Sequence, residues 1–517
     1  MPTTSRTALK AALGLVTATA LAVLPVLSAS AHDGDRDRMR EVAEQSAAGT
    51  NVPFATSPNV ELVKTVPKPG AISGVFSPSA PYFYVSSLES IDVYDVSDPL
   101  SPTLTGTLPQ AIFENEAMNY GERRNANGKV VARFVLVGVD LTQASSDDIS
   151  HSNPTGASEV IVVDVTDPTN PYIRGRAPAL TSTHTVACVN VRNCTTAYSA
   201  GSRPGLYSIF DLDSLSKPRE IDARPGVDGK QAFPSPASGP GGPLVAGHKW
   251  NFDNAGYGFH TGGAGTAVFD VSRPRHPELV TTTGEAGVAP GWNDFIHHNS
   301  ARPNAQAFQA YSAPSVRNGN VALITEEDYE NTDCATAGSF QTWKVTTLSG
   351  KPSAVRPLDK INPVTEGGGG ISPPVNAFCS AHWFDYHPSG IVALATYAGG
   401  LRLIDVRDPK NLEQYGYATF GASEVWDAYW APKRNRHGEA IGKSNIVYTV
   451  DLVRGLDVYS VQLPGRKGAA SSVELSGPSY KAGIDGTAAL VAFAGIAGVV
   501  LLRRRVAQLK HPVSAKT

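Results

Sequence analysis

The sequence predicts an all-β protein: a seven-bladed β-propeller of four-stranded antiparallel blades, its last blade closed by an N-terminal strand, with a single transmembrane helix at the C-terminus. Two observations predict the propeller. A β-rich run followed by Asp-Val, a small residue and Asp-Pro recurs along the chain, and two further β-like runs bounded by Gly, Pro, Asn and Asp lie between recurrences. A strand-rich unit copied roughly every 50 to 75 residues is the mark of a propeller. A third observation, an apolar run near each end, predicts export and anchoring.

Residues 1–31 read as a secretory signal. Arg6 and Lys10 supply a basic start, Ala11 to Leu27 an apolar run, and Ala29-Ser30-Ala31 a small-residue cleavage site before His32. A membrane anchor is the alternative. Residues 32–58 read as a polar leader. The run from Val60 to Pro67 then looks like an outer fourth strand with no blade of its own.

The repeat opens with Val93-Tyr94-Asp95-Val96-Ser97-Asp98-Pro99 and returns as Val162-Val163-Asp164-Val165-Thr166-Asp167-Pro168. Further copies stand at Ile209-Phe210-Asp211-Leu212, Val268-Phe269-Asp270-Val271-Ser272-Arg273-Pro274 and Leu403-Ile404-Asp405-Val406-Arg407-Asp408-Pro409. Asp caps a turn through its side chain and Pro presets φ, so the motif predicts a turn between the third and fourth strands of a blade. Seven such landmarks, near Asp95, Asp164, Asp211, Asp270, Val345, Asp405 and Val461, delimit a propeller over residues 59–463. The seventh unit lacks a fourth strand, and the stray N-terminal strand would complete it and remove two open edges.

Residues 464–485 form a Gly/Ser/Lys linker. Residues 486–502 are apolar and uncharged, and Arg503-Arg504-Arg505 follow. Seventeen residues at about 1.5 Å each reach roughly 25 Å, the short end for a span. The arginines place residues 503–517 on the cytoplasmic side and the propeller outside. A buried core helix is the alternative.

On these residues the chain resembles the LVIVD-repeat propellers of bacterial surface proteins, most clearly at Gly400-Leu401-Arg402-Leu403-Ile404-Asp405-Val406-Arg407-Asp408-Pro409. The resemblance implies the fold over roughly residues 59–463 and leaves the activity open.

A net charge of −3 argues against nucleic acid as a partner. The four cysteines of an exported chain favour disulfides, with Cys188 paired to Cys194 across a hairpin-like spacing and Cys334 to Cys379, although four cysteines allow three connectivities.

The candidate chemistry is histidine-rich. Of 12 His, five open inner strands: His184, His248, His297, His298 and His382; His260 stands at a junction between second and third strands. Inner strands line the axial channel, so these ends converge at its mouth. Glu326, Glu327, Asp328, Glu424 and Asp451 bring carboxylates to the same face, and Trp383 and Trp426 bring aromatic surface. Imidazole with carboxylate is the donor set of Cu, Zn, Fe or Mn sites. We take His184, His248, His260, His298, His382 and Glu326 as candidate metal ligands, and His297, Glu327, Asp328, Trp383, Glu424, Trp426 and Asp451 as candidate ligand-binding residues. Histidine repeated for blade packing is the structural alternative. The arrangement also bears a distant likeness, in architecture and histidine usage alone, to the selenium-binding protein and methanethiol oxidase propellers. No HExxH, P-loop or dinucleotide fingerprint is present.

Two functional readings follow. The leading one is a membrane-anchored binding module whose His/acid-rich face meets an extracellular protein, a cell-wall component or a small molecule. The alternative is a metal-dependent oxidoreductase or hydrolase with the histidines at its centre.

Overall fold

A computed structural model describes residues 53–109, 116, 118–140, 158–201, 205–238, 247–289, 291–293, 296–328, 333–348, 354–374 and 377–465. The expected signal (1–31), the expected transmembrane segment (486–502) and its tail lie outside them. Among the described residues no helix is long and apolar enough to cross a membrane.

Seven antiparallel sheets form the ring, each running from an inner first strand to an outer fourth. Blade one is built from Ala71–Phe76, Tyr82–Ser87, Ser90–Asp95 and Thr103–Pro109, and blade two from Asn119–Arg124, Val130–Asp140, Ser158–Asp164 and Tyr172–Ala179. The inner strands of blades three to seven are Thr185–Cys188, Gly247–Phe252, Ile296–Ala301, Phe384–His387 and Val425–Arg434. A two-stranded ribbon, Leu206–Tyr207 with Phe233–Pro234, is inserted beside blade three.

Blade seven closes as expected. Val60–Pro67 pairs antiparallel with Gly455–Val461, Val60 opposite Val461 and Pro67 opposite Gly455. Residues 54–56, read from sequence as part of the polar leader, instead add a fifth strand to blade six, with Phe54 opposite Phe420. The ring stack of Phe54 on Phe420 at 4.5 Å explains why that short segment is held.

The recurring Asp is a turn device. Asp95, Asp164, Asp211, Asp270 and Asp405 each accept the backbone N–H two residues on, at 2.7–2.9 Å. Asp98, Asp167 and Asp408 repeat the bond at 3.0 Å at their own i+2 positions. The core is a set of apolar layers between adjacent sheets, such as Tyr84, Ile91 and Val93 of blade one on Tyr120, Val135 and Val163 of blade two. Each such side chain removed from water stabilises the ring by about 1.5–3 kcal/mol. Both expected disulfides are present, Cys188–Cys194 and Cys334–Cys379, with Cα separations of 5.5 and 5.3 Å.

A candidate metal centre on the propeller axis

The inner strands carry a local irregularity that aims side chains at the axis. Where Gly247–Phe252 pairs with its neighbour, the register slips between Gly247 and Lys249, leaving His248 as an extra residue. In blade five it slips between His297 and Asn299, leaving His298. The slip recurs in blade one at Ile72 and in blade seven at Trp426. A β-bulge kinks its strand and redirects the extra side chain. His184 and His382 lie just before the strands of blades three and six, and His382 is tied in by its N–H to Ala395 O at 2.9 Å.

Four imidazoles from four consecutive blades converge on one carboxylate, Glu116. His382 Nε2 lies 2.7 Å and His298 Nε2 2.9 Å from Glu116 Oε1. On Oε2, His248 Nε2 approaches to 3.4 Å and His184 Nε2 makes a closer ion-pair contact. A second carboxylate, Glu327, has Oε2 3.5 Å from His298 Nε2 and Oε1 3.8 Å from His382 Nε2. All six side chains are buried, His298 and His382 completely. Glu327 also accepts the Tyr397 hydroxyl. Tyr397 holds φ at +49°, an uncommon value for a residue with a Cβ, and the antiparallel bridge to Val425 fixes it there.

The far nitrogens decide the protonation. His382 Nδ1 faces Trp426 O at 2.6 Å, and His248 Nδ1 faces His298 O at 3.2 Å. A carbonyl accepts only, so in both rings Nδ1 carries the proton and Nε2 of the neutral ring presents a lone pair. Those lone pairs point at carboxylate oxygens, which also only accept. The contacts are favourable only with a cation between them, either protons on the rings or a metal ion. A backbone carbonyl fixing the outer nitrogen is also how metal-bound histidines are oriented.

Electrostatics agrees that the groups act as one unit. Burial would raise the Glu116 carboxyl, but the imidazoles of His248 and His184 outweigh it and hold Glu116 well below the usual carboxylate range. Burial would lower His382, but Glu116 outweighs it and raises that ring. Burial and the neighbouring rings of His248 and His382 hold His298 well below the usual imidazole range. Glu327, raised by burial and by Glu116 against the pull of His382, is pushed up to about 7.

Two ligand groups emerge: Glu116, His248 and His298, and His298, Glu327 and His382, the donor atoms of each lying within 4.8 Å of one another. His298 belongs to both. Donors about 2.1 Å from one ion are at most about 4.2 Å apart, so side-chain shifts of tenths of an ångström bring either set onto a metal.

Of the expected metal ligands, His184, His248, His298 and His382 come together, while His260 and Glu326 do not. His260 stacks on Trp250 at 4.5 Å with Nδ1 on Ser235 Oγ at 2.6 Å, in the blade three–four interface. Burial pushes its pKa down to about 3. Glu326 faces Ser339 Oγ (2.9 Å) and Gln341 Nε2 (3.2 Å), because neighbours on a strand point to opposite sides and Glu327 takes the channel side. In blade five the bulge gives the channel side to His298, and His297 turns away, its ring nitrogens meeting Thr266 Oγ1 at 2.9 Å and Trp292 O at 2.8 Å.

Trp383 packs against the cluster, 4.4 Å from His298 between ring centroids, and Trp426 packs 5.3 Å from His382. Glu424 accepts the Trp426 indole N–H at 3.0 Å. Asp451 is a turn cap, accepting from Glu424, Val453 and Arg454 N–H groups and from Ser423 Oγ. The backbone N–H of Asp328 binds Ser380 Oγ at 2.9 Å, which ties it to the approach to blade six.

Sequence reasoning misses Glu116, which lies between blades one and two, outside every repeat landmark. It also misses Lys249, Tyr397 and Asp427. Lys249 Nζ sits 4.6 Å from the centre of the Trp383 ring, and Asp427 Oδ2 accepts Gly74 N–H at 2.7 Å. Burial lowers Lys249 to about 8 and raises Asp427 to about 7.

No protein-family model and no curated protein sequence matches the chain. Among solved structures it is similar to the β-propeller domain of Myceliophteria thermophila Cps50 (Swd1), at 10% identity over 78% of this chain and 100% of that one, TM-score 0.47. It is similar to a periplasmic gluconolactonase of Pseudomonas aeruginosa at 11% identity over 80% of this chain and 95% of that one, TM-score 0.46. The WD40 propeller domain of Doa1 matches at 9% identity over 78% of this chain and 98% of that one, TM-score 0.45. Likeness at this level concerns the fold, and the chemistry rests on the residues above.

Proposed function

We propose that the axial cluster binds a divalent transition metal and that the protein is an exported, membrane-anchored metal-dependent enzyme acting on a small molecule. The observation that carries this reading is the convergence of buried imidazoles on Glu116 and Glu327 in two sets of three donors, each set lying within 4.8 Å. Three His/Glu donors per set, with further positions open, suit a catalytic Zn, Fe, Mn or Cu ion. Such an ion supplies Lewis-acid or one-electron chemistry. His184, His248, His298, His382 and Glu116 would hold it. Glu327, with a pKa near neutrality and Tyr397 donating to it, would hold or release a proton beside it.

The burial of these donors argues against a macromolecular partner gripping them directly, and supports a small species entering the channel. A propeller is also a common interaction module, and a surface-anchored binding role through the rest of this face is the second reading. Export, anchoring and the kinship with LVIVD-repeat propellers belong to the proposal and rest on sequence.

The test is elemental analysis of the full-length chain purified without a His tag or chelator, beside a variant with His184, His298 and His382 changed to Ala. Near-stoichiometric Fe, Mn, Cu or Zn in the parent and loss in the variant is the expected result. Absence of metal in a folded parent, even after incubation with each ion, rejects the reading.

A further inference from the structure

Beside the histidines lies a second group of buried polar atoms that the metal centre does not use. Lys249 follows the bulged His248 and is only 7% exposed. Its ammonium lies over the Trp383 indole, 4.6 Å from the ring centre, and among the described residues it has no carboxylate within 4.0 Å. The Trp383 Nε1–H is buried with no hydrogen-bond partner among the described residues. Asp427, fully buried, accepts Gly74 N–H on Oδ2 and has the Tyr429 hydroxyl beside it, while its Oδ1 is buried with no hydrogen-bond partner assigned among the described residues. Lys249 and Asp427 stand on the inner strands of blades four and seven, and each feels the charge of Glu116 and of the other.

An ammonium taken from water and offered only a ring face loses far more than a cation–π contact returns, since the desolvation of a buried ion costs several kcal/mol. Buried polar groups have partners, and each exception asks what the partner is. Here the exceptions are complementary: a cationic donor and a neutral N–H donor on Lys249 and Trp383, and a carboxylate acceptor on Asp427. An anion alone suits the first two and is repelled by the third. A neutral alcohol suits Asp427 and leaves the ammonium uncompensated. A small molecule with a carboxylate and a hydroxyl satisfies all three.

We propose that Lys249, Trp383 and Asp427 form a recognition site for a small hydroxycarboxylate, the carboxylate on Lys249 Nζ and Trp383 Nε1–H and the hydroxyl donating to Asp427 Oδ1. The indole that carries this site packs on His298, His248 and His382 at centroid distances of 4.4, 5.9 and 5.5 Å. A molecule bound there lies alongside the histidine cluster. As a statement of substrate class this rests on the metal reading; as a statement of binding it does not.

The test is calorimetric titration of the full-length chain with glycolate and with acetate, metal content being measured on the same sample. Glycolate is expected to bind roughly tenfold more tightly than acetate, the worth of one hydrogen bond to a charged group. Lys249→Met is expected to abolish binding of both. Trp383→Phe, which keeps the ring and removes the N–H, is expected to weaken both several-fold. Asp427→Ala, which removes the acceptor, is expected to leave acetate binding and erase the glycolate preference. No binding to the parent overturns the proposal, as does glycolate binding unchanged in Lys249→Met and Trp383→Phe, the behaviour of direct chelation by a metal. Should Lys249→Met fail to fold, Trp383→Phe and Asp427→Ala carry the test. Metal with no glycolate binding rejects this site and leaves the metal reading; glycolate binding in protein that takes up none of the ions leaves this site and rejects the metal reading.

Discussion

Glu116 and His382 are 266 residues apart in sequence, and Glu116 Oε1 lies 2.7 Å from His382 Nε2. Glu116, which falls between blades one and two in sequence, stands among imidazoles from blades three to six. That carboxylate organises the cluster. Glu116→Gln keeps the size and removes the charge, and is expected to weaken metal binding by about 10- to 100-fold while leaving the melting temperature of the metal-free protein within a few degrees. Competition with a chromophoric chelator and a thermal melt measure both.

Two buried histidines outside the cluster set an acid limit on stability. His297 is held at about 4 and His260 at about 3, chiefly by burial. Their folded values lie below the ordinary imidazole value near 6.5, so between about 6.5 and about 4 the unfolded chain binds more protons than the folded one. Stability is therefore retained above about 6.5 and lost as pH falls through that window, by about 3 kcal/mol for each ring. His260→Gln, itself costing some packing on Trp250, is expected to flatten the slope of denaturant-derived stability against pH. An unchanged slope counts against the assignment.

The two disulfides are expected to contribute unequally. Cys334–Cys379 closes a separation of 45 residues and Cys188–Cys194 one of 6. Chain-entropy reasoning gives about 4 and about 2 kcal/mol respectively. Cys334→Ser with Cys379→Ser should lower the melting temperature more than Cys188→Ser with Cys194→Ser. The first pair should also weaken metal binding, since Cys379 lies three residues before His382.

Closure of the ring depends on Val60–Pro67. Val60 is buried and packs with Val425, Trp430 and Tyr459. Val60→Asp places a carboxylate in that apolar layer and is expected to cost about 3 kcal/mol or more. Urea denaturation with intrinsic tryptophan fluorescence, through buried Trp430, reports it.

The propeller was legible in the sequence because its repeat is a hydrogen-bonding device. An Asp that accepts the N–H two residues on, in blades one, two, three, four and six, leaves the same residue types at the same step where the third strand turns into the fourth. The convergence of His184, His248, His298 and His382 was legible for a similar reason, since inner-strand starts meet at the axis whatever their side chains. What period-two alternation could not give was the choice between neighbours. His297 and His298 are adjacent, as are Glu326 and Glu327, and the bulge at His298 decides which of the histidines faces the channel. A register slip leaves no mark in composition. Glu116 was illegible because no repeat contains it, and a carboxylate in a connecting segment reads as an ordinary solvated group. The strand at residues 54–56 was missed because three residues carry too little pattern.

The most direct measurement of the central claim is X-ray absorption at the metal edge on the full-length chain as purified. A first shell dominated by imidazole nitrogen, three or more at about 2.0–2.2 Å with carboxylate oxygen beside them, is the expected result. The signal should be lost in the His298→Ala, His382→Ala double variant. A shell of sulfur or of oxygen alone, or a spectrum unchanged in that variant, would contradict a metal held by Glu116 and the four histidines.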